Sequence, residues 1–465
     1  MRHARSVLAA ALLLAAPAAW GRALDQAALD AVLARLPAGA RIGLLAVDES
    51  GTVVAERNAD ARMVPASTTK LFTTAAALAI LPATEQPDNT GGASVSLEGP
   101  STQPDVVLRG HGDARLSSAP DCTIDCLATL ADAIVARTRK VGQVIGDDSA
   151  MADERWPSGM SWDNMATVSG TAVSALTLDD NVALAKVIGG VEGTAARIEA
   201  PAGLAIAGTV ASTRTDQIAV SRINLPGSDN WRLTGFLPAG AAYRLPLAVA
   251  DPAARAAAVL RAMLVARGIS VSGPALARHR DGTALPEPAP LARLVPPPLA
   301  QDIALTLRDS QNLHAELLLR RLSPAGTVAA GVAARLAALA PANLPTGSVS
   351  LYDGSGMSTY NRVTPHALVG LLRWGQAQPW GATWIGGFPV AGQSGTLKAR
   401  LRGTALDGQL RAKTGTLLGT QALAGVVPTA DGHRITFAVL VNDLPENTSA
   451  TPVIDALLLA LAAGH

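Results

Sequence analysis

Only two cysteines occur in the 465 residues, Cys122 and Cys126, and no His cluster accompanies them, which excludes a tetrahedral zinc centre built on these thiols. In an oxidising compartment the close pair can form a local disulfide; the alternative is two separate buried thiols, and neither reading bears on catalysis. An excess of charge of either sign is also missing. The 38 basic and 37 acidic residues leave a net charge of +1, so no overall field draws the chain to nucleic acid or to an anionic membrane. Charged residues amount to only 16% against 49% hydrophobic, which excludes a disordered chain and supplies enough apolar material for sizeable cores. Lysine is scarce, with Lys70, Lys140, Lys186, Lys398 and Lys413 the only five, so a lysine inside a motif is informative here. No apolar run reaches the ~20 residues needed to span a bilayer. No fixed-period repeat is evident either.

The length exceeds one ordinary domain of roughly 100–200 residues and predicts two or three. The first residues read as an address: Arg2, His3 and Arg5 precede an apolar run at 7–16, and Ala19-Trp20-Gly21 offers small residues for cleavage. Residues 1–21 are therefore expected to be a signal peptide and the protein to be exported, to a periplasm, without a transmembrane anchor in the mature chain. Beyond it, β-rich segments at 41–47 and 52–57 flank Asp48-Glu49-Ser50-Gly51, the pattern of a hairpin. A buried helix is predicted over 67–81, where STTKLFTTAAALAIL contains neither Gly nor Pro. Pro and Gly punctuate 81–100, and six prolines between Pro286 and Pro298 mark a second boundary. The block between them reads as an insertion, with its clearest helix at 251–268, capped by Asp251 with Pro252 following. After it come a helix near 312–322, strands at 408–416, 421–427 and 433–441, and a closing helix at 452–463. Thr429-Ala430-Asp431-Gly432 is the turn of a hairpin between the last two strands.

Three short patterns carry the chemistry when taken together: Ser67-Thr68-Thr69-Lys70, Ser310-Gln311-Asn312 and Lys413-Thr414-Gly415. Positions i and i+3 share a helix face, so the Lys70 amine can reach the Ser67 hydroxyl and take its proton. To act as a base the amine must be neutral part of the time. Burial and a second cation lower its pKa, and Lys413 is the candidate cation. Each pattern alone has an ordinary reading, as a helix cap with a solvated lysine, a second cap, and an edge-strand charge before a bulge. Their joint occurrence uses two of the five lysines and puts the three on a helix start, a loop and a strand.

In these motifs the chain resembles the penicillin-binding serine D-Ala-D-Ala peptidases. It is most similar to the S13 carboxypeptidase/endopeptidase branch, the penicillin-binding protein 4 type. The resemblance rests also on VPASTTKLFTTAAAL at 64–78, WPSGMSWDNM at 156–165, VSALTLDDN at 173–181, DGSGMSTYNRVTP at 353–365, FPVAGQSGTLKARLRGT at 388–404 and RAKTGTLLG at 411–419. It implies an α+β fold, an antiparallel sheet flanked by helices. The transpeptidase-like domain would be split between 24–84 and 299–465, with 85–298 inserted, as the 240 positions from Lys70 to Ser310 require. It further implies that Ser67 attacks the carbonyl between two terminal D-alanines of a peptidoglycan stem peptide and that Lys70 accepts its proton. Ser310 would relay a proton to the leaving amine, Asn312 would hold Lys70 and substrate, and Lys413, Thr414, Gly415 and Thr416 would bind the substrate's end. The backbone N–H groups of Ser67 and Thr416 would receive the oxyanion. β-Lactam antibiotics are the implied covalent inhibitors, and no cofactor is expected.

Other features have competing readings. Asp353-Gly354-Ser355-Gly356 is turn chemistry or a cleft wall. Asp147, with Asp148, is an exposed loop charge or a carboxylate that recognises the free amine of a diaminopimelate side chain. His314 and Glu316 read as packing or a surface ion pair. A serine β-lactamase is the rival activity, although no Glu occurs between Glu316 and Glu446 to serve as a class A deacylating base. An inactive wall-binding homologue is the rival from another class.

Overall fold

The computed structural model describes residues 24–280 and 286–463; the expected signal peptide at 1–21 lies outside them. Strands β1 (Arg41–Val47) and β2 (Val53–Arg57) form the antiparallel hairpin expected around 48–51, with Asp48 accepting the Thr52 N–H at 2.8 Å inside the turn. The expected helix at 67–81 begins as a single 3₁₀ turn, Ala66–Thr68, and continues as α1 (Thr69–Ile80). After residue 298 come α2 (Leu299–Arg308), α3 (Asn312–Arg321), α4 (Val328–Ala338) and α5 (Pro365–Gln376). The chain closes with β3 (Arg411–Leu417), β4 (Thr420–Pro428), β5 (Arg434–Asn442) and α6 (Thr451–Ala462).

The five strands make one antiparallel sheet in the order β3-β4-β5-β1-β2, so the first hairpin pairs with the last strand, Leu44 opposite Val439. Alternate residues face opposite sides of a strand, and both faces here are covered. Leu45, Val47, Ala424, Ala438 and Leu440 pack on one side against α1, α2, α3 and α5, through Leu71, Phe72, Ile303, Leu318 and Leu371. Leu44, Ala46, Leu423, Phe437, Val439 and Val441 pack on the other against α6, through Ile454, Leu457, Leu458 and Leu461. This two-sided burial is why β5 reads as a near-continuous hydrophobic run rather than an alternating one.

Helix α1 is buried from Thr69 to Leu78, so its polar groups must be satisfied inside. The Thr73 hydroxyl donates to the Gly354 carbonyl at 2.8 Å, and Thr74 donates to the Lys70 carbonyl at 2.7 Å and accepts from Trp384 Nε1 at 2.9 Å. Trp384 also continues an edge-to-face series, Trp374, Trp380, Trp384 and Phe388, that fills the space beside α5.

Between 94 and 293 the chain builds cores of its own. Segments Ser94–Glu98, Asp105–Arg109, Val144–Asp147, Ala275–Arg278 and Ala292–Arg293 form a mixed five-stranded sheet. Helices Leu127–Arg137 and Pro252–Ala266 pack on it, the second capped by Asp251 as expected. Two three-stranded sheets from 182–248 share a separate core around Trp231 and Leu233. Cys122 and Cys126 are joined in a disulfide. Among the described residues no helix is long and apolar enough to cross a membrane.

Candidate active site

The chain enters the first motif under backbone strain. Ala66 has φ +48°, left-handed for a residue with a Cβ, a conformation costing of order 1–3 kcal/mol unless its surroundings impose it. They do so from two sides. The buried Asn442 side chain at the end of β5 accepts the Val64 N–H at 2.7 Å and donates to the Val64 carbonyl at 3.1 Å. Gly415 on β3 and Gly356 press against the turn itself: a Cβ on Gly415 would lie 2.6 Å from the Pro65 carbonyl oxygen, and one on Gly356 2.0 Å from that of Ala66. Gly356→Ala, at φ +90°, is therefore expected to push the Ser67 turn out of place and lower penicillin acylation by about 10²-fold, checked by acylation kinetics beside a melting curve.

The turn delivers Ser67 next to Lys70, with the amine nitrogen 2.9 Å from Ser67 Oγ. The same amine donates to Asn312 Oδ1 at 2.6 Å and to the Ser355 carbonyl at 2.7 Å. Ser310, at φ +60°, ends the loop before α3, and its hydroxyl accepts from the Lys413 amine at 2.9 Å. Lys413 donates also to the Thr414 carbonyl at 2.7 Å. The first two motifs and Ser355 thus meet on Lys70, while the second and third meet on the Ser310–Lys413 contact.

Both amines are fully buried, and burial favours the neutral form of each. It brings Lys70 down to about 7, against the opposing pull of the Asp353 and Glu316 carboxylates. Burial, and then the charge of Lys70, hold Lys413 well below its usual value. Of the two causes expected for Lys70, burial is therefore the one that acts, and the charge coupling with Lys413 falls on Lys413 instead.

Ser67, Ser310, Asn312 and Thr414 to Thr416 line a cleft of about 1040 Å³. On edge strand β3 the Ala412 N–H bonds the Pro389 carbonyl on the side away from β4, so the N–H groups of Thr414 and Thr416, two and four residues on, point the same way, toward the cleft. The Thr414 hydroxyl bonds that of Thr396 at 2.6 Å. Ser161, Asp163, Asn164 and Ser169 line the same cleft, and Asn312 Nδ2 donates to the Ser169 carbonyl at 2.8 Å.

Asp147 is not brought to this cleft. It is 1% exposed at the end of strand Val144–Asp147, where it accepts the Ser149 N–H at 2.9 Å and pairs with Arg278 at 3.4 Å. Asp148 is buried as well, bonded to Ser174 and His279, so neither acid is the exposed loop charge that the sequence suggested. The carboxylate that this part of the chain does bring to the cleft is Asp163, within the WPSGMSWDNM segment of 156–165, beside the exposed Trp162.

His314 and Glu316 are not on the surface. His314 bridges Asp302 on α2 and Asp180 in the insertion, and is pushed up to about 10 because these carboxylates outweigh the burial that opposes its charge. Glu316 bonds Arg320 on its own helix and the N–H groups of Gly354 and Ser355. The sequence signal for the latter was the Asp-Gly-Ser-Gly turn, whose buried Asp353 accepts from the N–H groups of Gly356 and Ser358 at 3.0 and 2.7 Å.

Three comparisons bear on this arrangement. A model of the D-Ala-D-Ala carboxypeptidase 3 (S13) family matches residues 25–463. A D-alanyl-D-alanine carboxypeptidase of Actinomadura sp. (strain R39) is 32% identical over 92% of this chain and 82% of its own; one named DacB from Haemophilus influenzae is 25% identical over 90% of each. The crystal structure of penicillin binding protein 4 from H. influenzae superposes with a TM-score of 0.77 at 22% identity, covering 93% of this chain and 97% of that one. With the family match running almost from end to end of the described residues, the chain belongs to the D-Ala-D-Ala carboxypeptidase 3 (S13) family.

Proposed function

We propose that the protein is a serine-type D-Ala-D-Ala carboxypeptidase/endopeptidase of peptidoglycan, working through an acyl-enzyme on Ser67. The observation that carries this reading is the Lys70 amine, buried, brought down to about 7 and 2.9 Å from the Oγ of Ser67, which lines the cleft. An amine so placed is neutral about half the time near neutral pH and accepts the hydroxyl proton as Ser67 adds to the carbonyl carbon. The N–H groups of Ser67 and Thr416 receive the developing oxyanion, worth a few kcal/mol of barrier in comparable sites. Ser310, held by Lys413, passes a proton to the leaving D-alanine nitrogen. An arriving substrate carboxylate restores the charge on Lys413, and the hydroxyls of Thr414 and Thr416 orient it. Water then releases the acyl group.

The same reading makes residues 24–84 and 299–465 the catalytic unit, with 85–298 as an inserted region that supplies one rim of the cleft. It makes 1–21 an export signal and the periplasm the place of work. Asp163 replaces Asp147 as the carboxylate to meet a free amine on the stem peptide.

One observation weighs against the β-lactamase reading. Glu316, the sole Glu in the stretch that follows Asn312 up to Glu446, is buried, with both carboxylate oxygens already engaged, and cannot activate water in the cleft. Intact Ser67, Lys70, Ser310, Asn312 and Lys413 weigh against an inactive wall-binding homologue. With benzylpenicillin, a covalent adduct that persists for minutes in intact-protein mass spectrometry is expected, whereas many turnovers per second would overturn the reading. Product masses from cross-linked and uncross-linked muropeptides distinguish cutting of cross-links from trimming of terminal D-alanine.

A further inference from the structure

We infer that Glu316 is a positioning residue for acylation: through the amides of Gly354 and Ser355 its carboxylate fixes the carbonyl that aims the Lys70 amine at Ser67. This rests on the reading of Ser67 as nucleophile and Lys70 as base. One oxygen of Glu316 accepts the N–H groups of both Gly354 and Ser355 at 2.9 Å, and the other accepts from Arg320 at 3.0 Å. The segment is seated directly on α3, for a Cβ on Gly354 would lie 2.4 Å from the Ala315 carbonyl oxygen. The next peptide group then presents the Ser355 carbonyl to Lys70 at 2.7 Å, and Gly356 closes against the turn that carries Ser67. A single carboxylate thus links the helix bearing Asn312 to the acceptor that, with Asn312 Oδ1, orients the amine.

The electrostatics point the same way. Lys70 on α1 faces Glu316, as do Arg320 on the same helix, Arg335 on α4 and Asp353 in the turn, while Lys413 on β3 faces Lys70. Arg335 spends its guanidinium on the carbonyls of Asp353 and Leu351, at 2.6 and 3.2 Å, and on Thr73. Glu316 and Asp353 are therefore the negative charges set against the desolvated amine, and both strengthen its hold on a proton.

Two variants separate reach from charge. Glu316→Asp keeps the charge but withdraws the oxygen from the two amides; benzylpenicillin acylation is expected to fall on the order of 10²-fold. Glu316→Gln keeps an oxygen in place and removes the charge; Lys70 then gives up its proton more easily, and the acid limb of the acylation pH profile moves to lower pH. A merely structural role would lower the folded fraction without moving that limb. Wild-type acylation by Glu316→Asp, or an unmoved limb in Glu316→Gln, overturns the inference. Should Glu316→Gln fail to fold, Glu316→Asp decides alone: loss of rate at an unchanged melting temperature supports it and wild-type rate overturns it. Labelling of Ser67→Ala by penicillin would instead sink the underlying reading, so the two failures are told apart.

Discussion

Ser67→Ala is expected to abolish covalent labelling by fluorescent penicillin while the protein remains folded. The reasons are local. The hydroxyl is part-buried at the cleft and bonded to the Lys70 amine, and among the described residues no other serine is brought to that amine by its hydroxyl, since Ser355 meets it through its carbonyl. Losing one such hydrogen bond costs about 1 kcal/mol, far less than the stability of a chain this size. The strained turn is held by Asn442, Gly356 and Gly415, none of which bonds the hydroxyl. Labelling should fall to background with the melting midpoint lowered by no more than about 2–4 °C. A variant that still labels places the nucleophile elsewhere.

Lys70→Ala carries the second large effect. General-base catalysis is worth on the order of 10²–10⁴-fold, and acylation by benzylpenicillin should fall within that range. The change also leaves Asn312 Oδ1 and the Ser355 carbonyl without a donor, at about 1–3 kcal/mol for each buried acceptor, so the melting temperature must be read alongside the rate. In the wild-type protein the sign of the pH dependence is set by burial, which lowers Lys70 to about 7. Above that pH the amine is neutral and competent. Below it the amine is protonated, and the rate should drop about tenfold for each unit of pH. The variant has no such group, so its profile should lack this limb. Full-rate acylation by Lys70→Ala would refute the assigned base.

Much of this site was legible in the chain because its chemistry sits in side chains at short spacing. A serine and a lysine three apart on an apolar helix state their purpose, and two further motifs identify their partners. The link from Glu316 to Ser355 was not legible, because the Glu316 carboxylate meets backbone amides and Ser355 acts through its carbonyl, and such backbone partners carry no residue signature. Asp147 misled for a related reason: adjacent acids in an insertion read as exposed, whereas Arg278 and His279 arrive from far along the chain to neutralise them. The strands were readable where covering on both faces makes their runs uniformly apolar, as in β5. Strand β3 starts later than expected because residues 408–410 close a turn, the Leu410 N–H bonding the Leu406 carbonyl.

The place of β1 in the sheet has a temporal consequence. Its neighbour across most of its length is β5, synthesised nearly 400 residues later, and Lys413 emerges long after Ser67. Contacts of such long range close slowly. The nascent polypeptide therefore carries Ser67 without the crevice that later strands complete, and the enzyme remains silent until its far end has arrived.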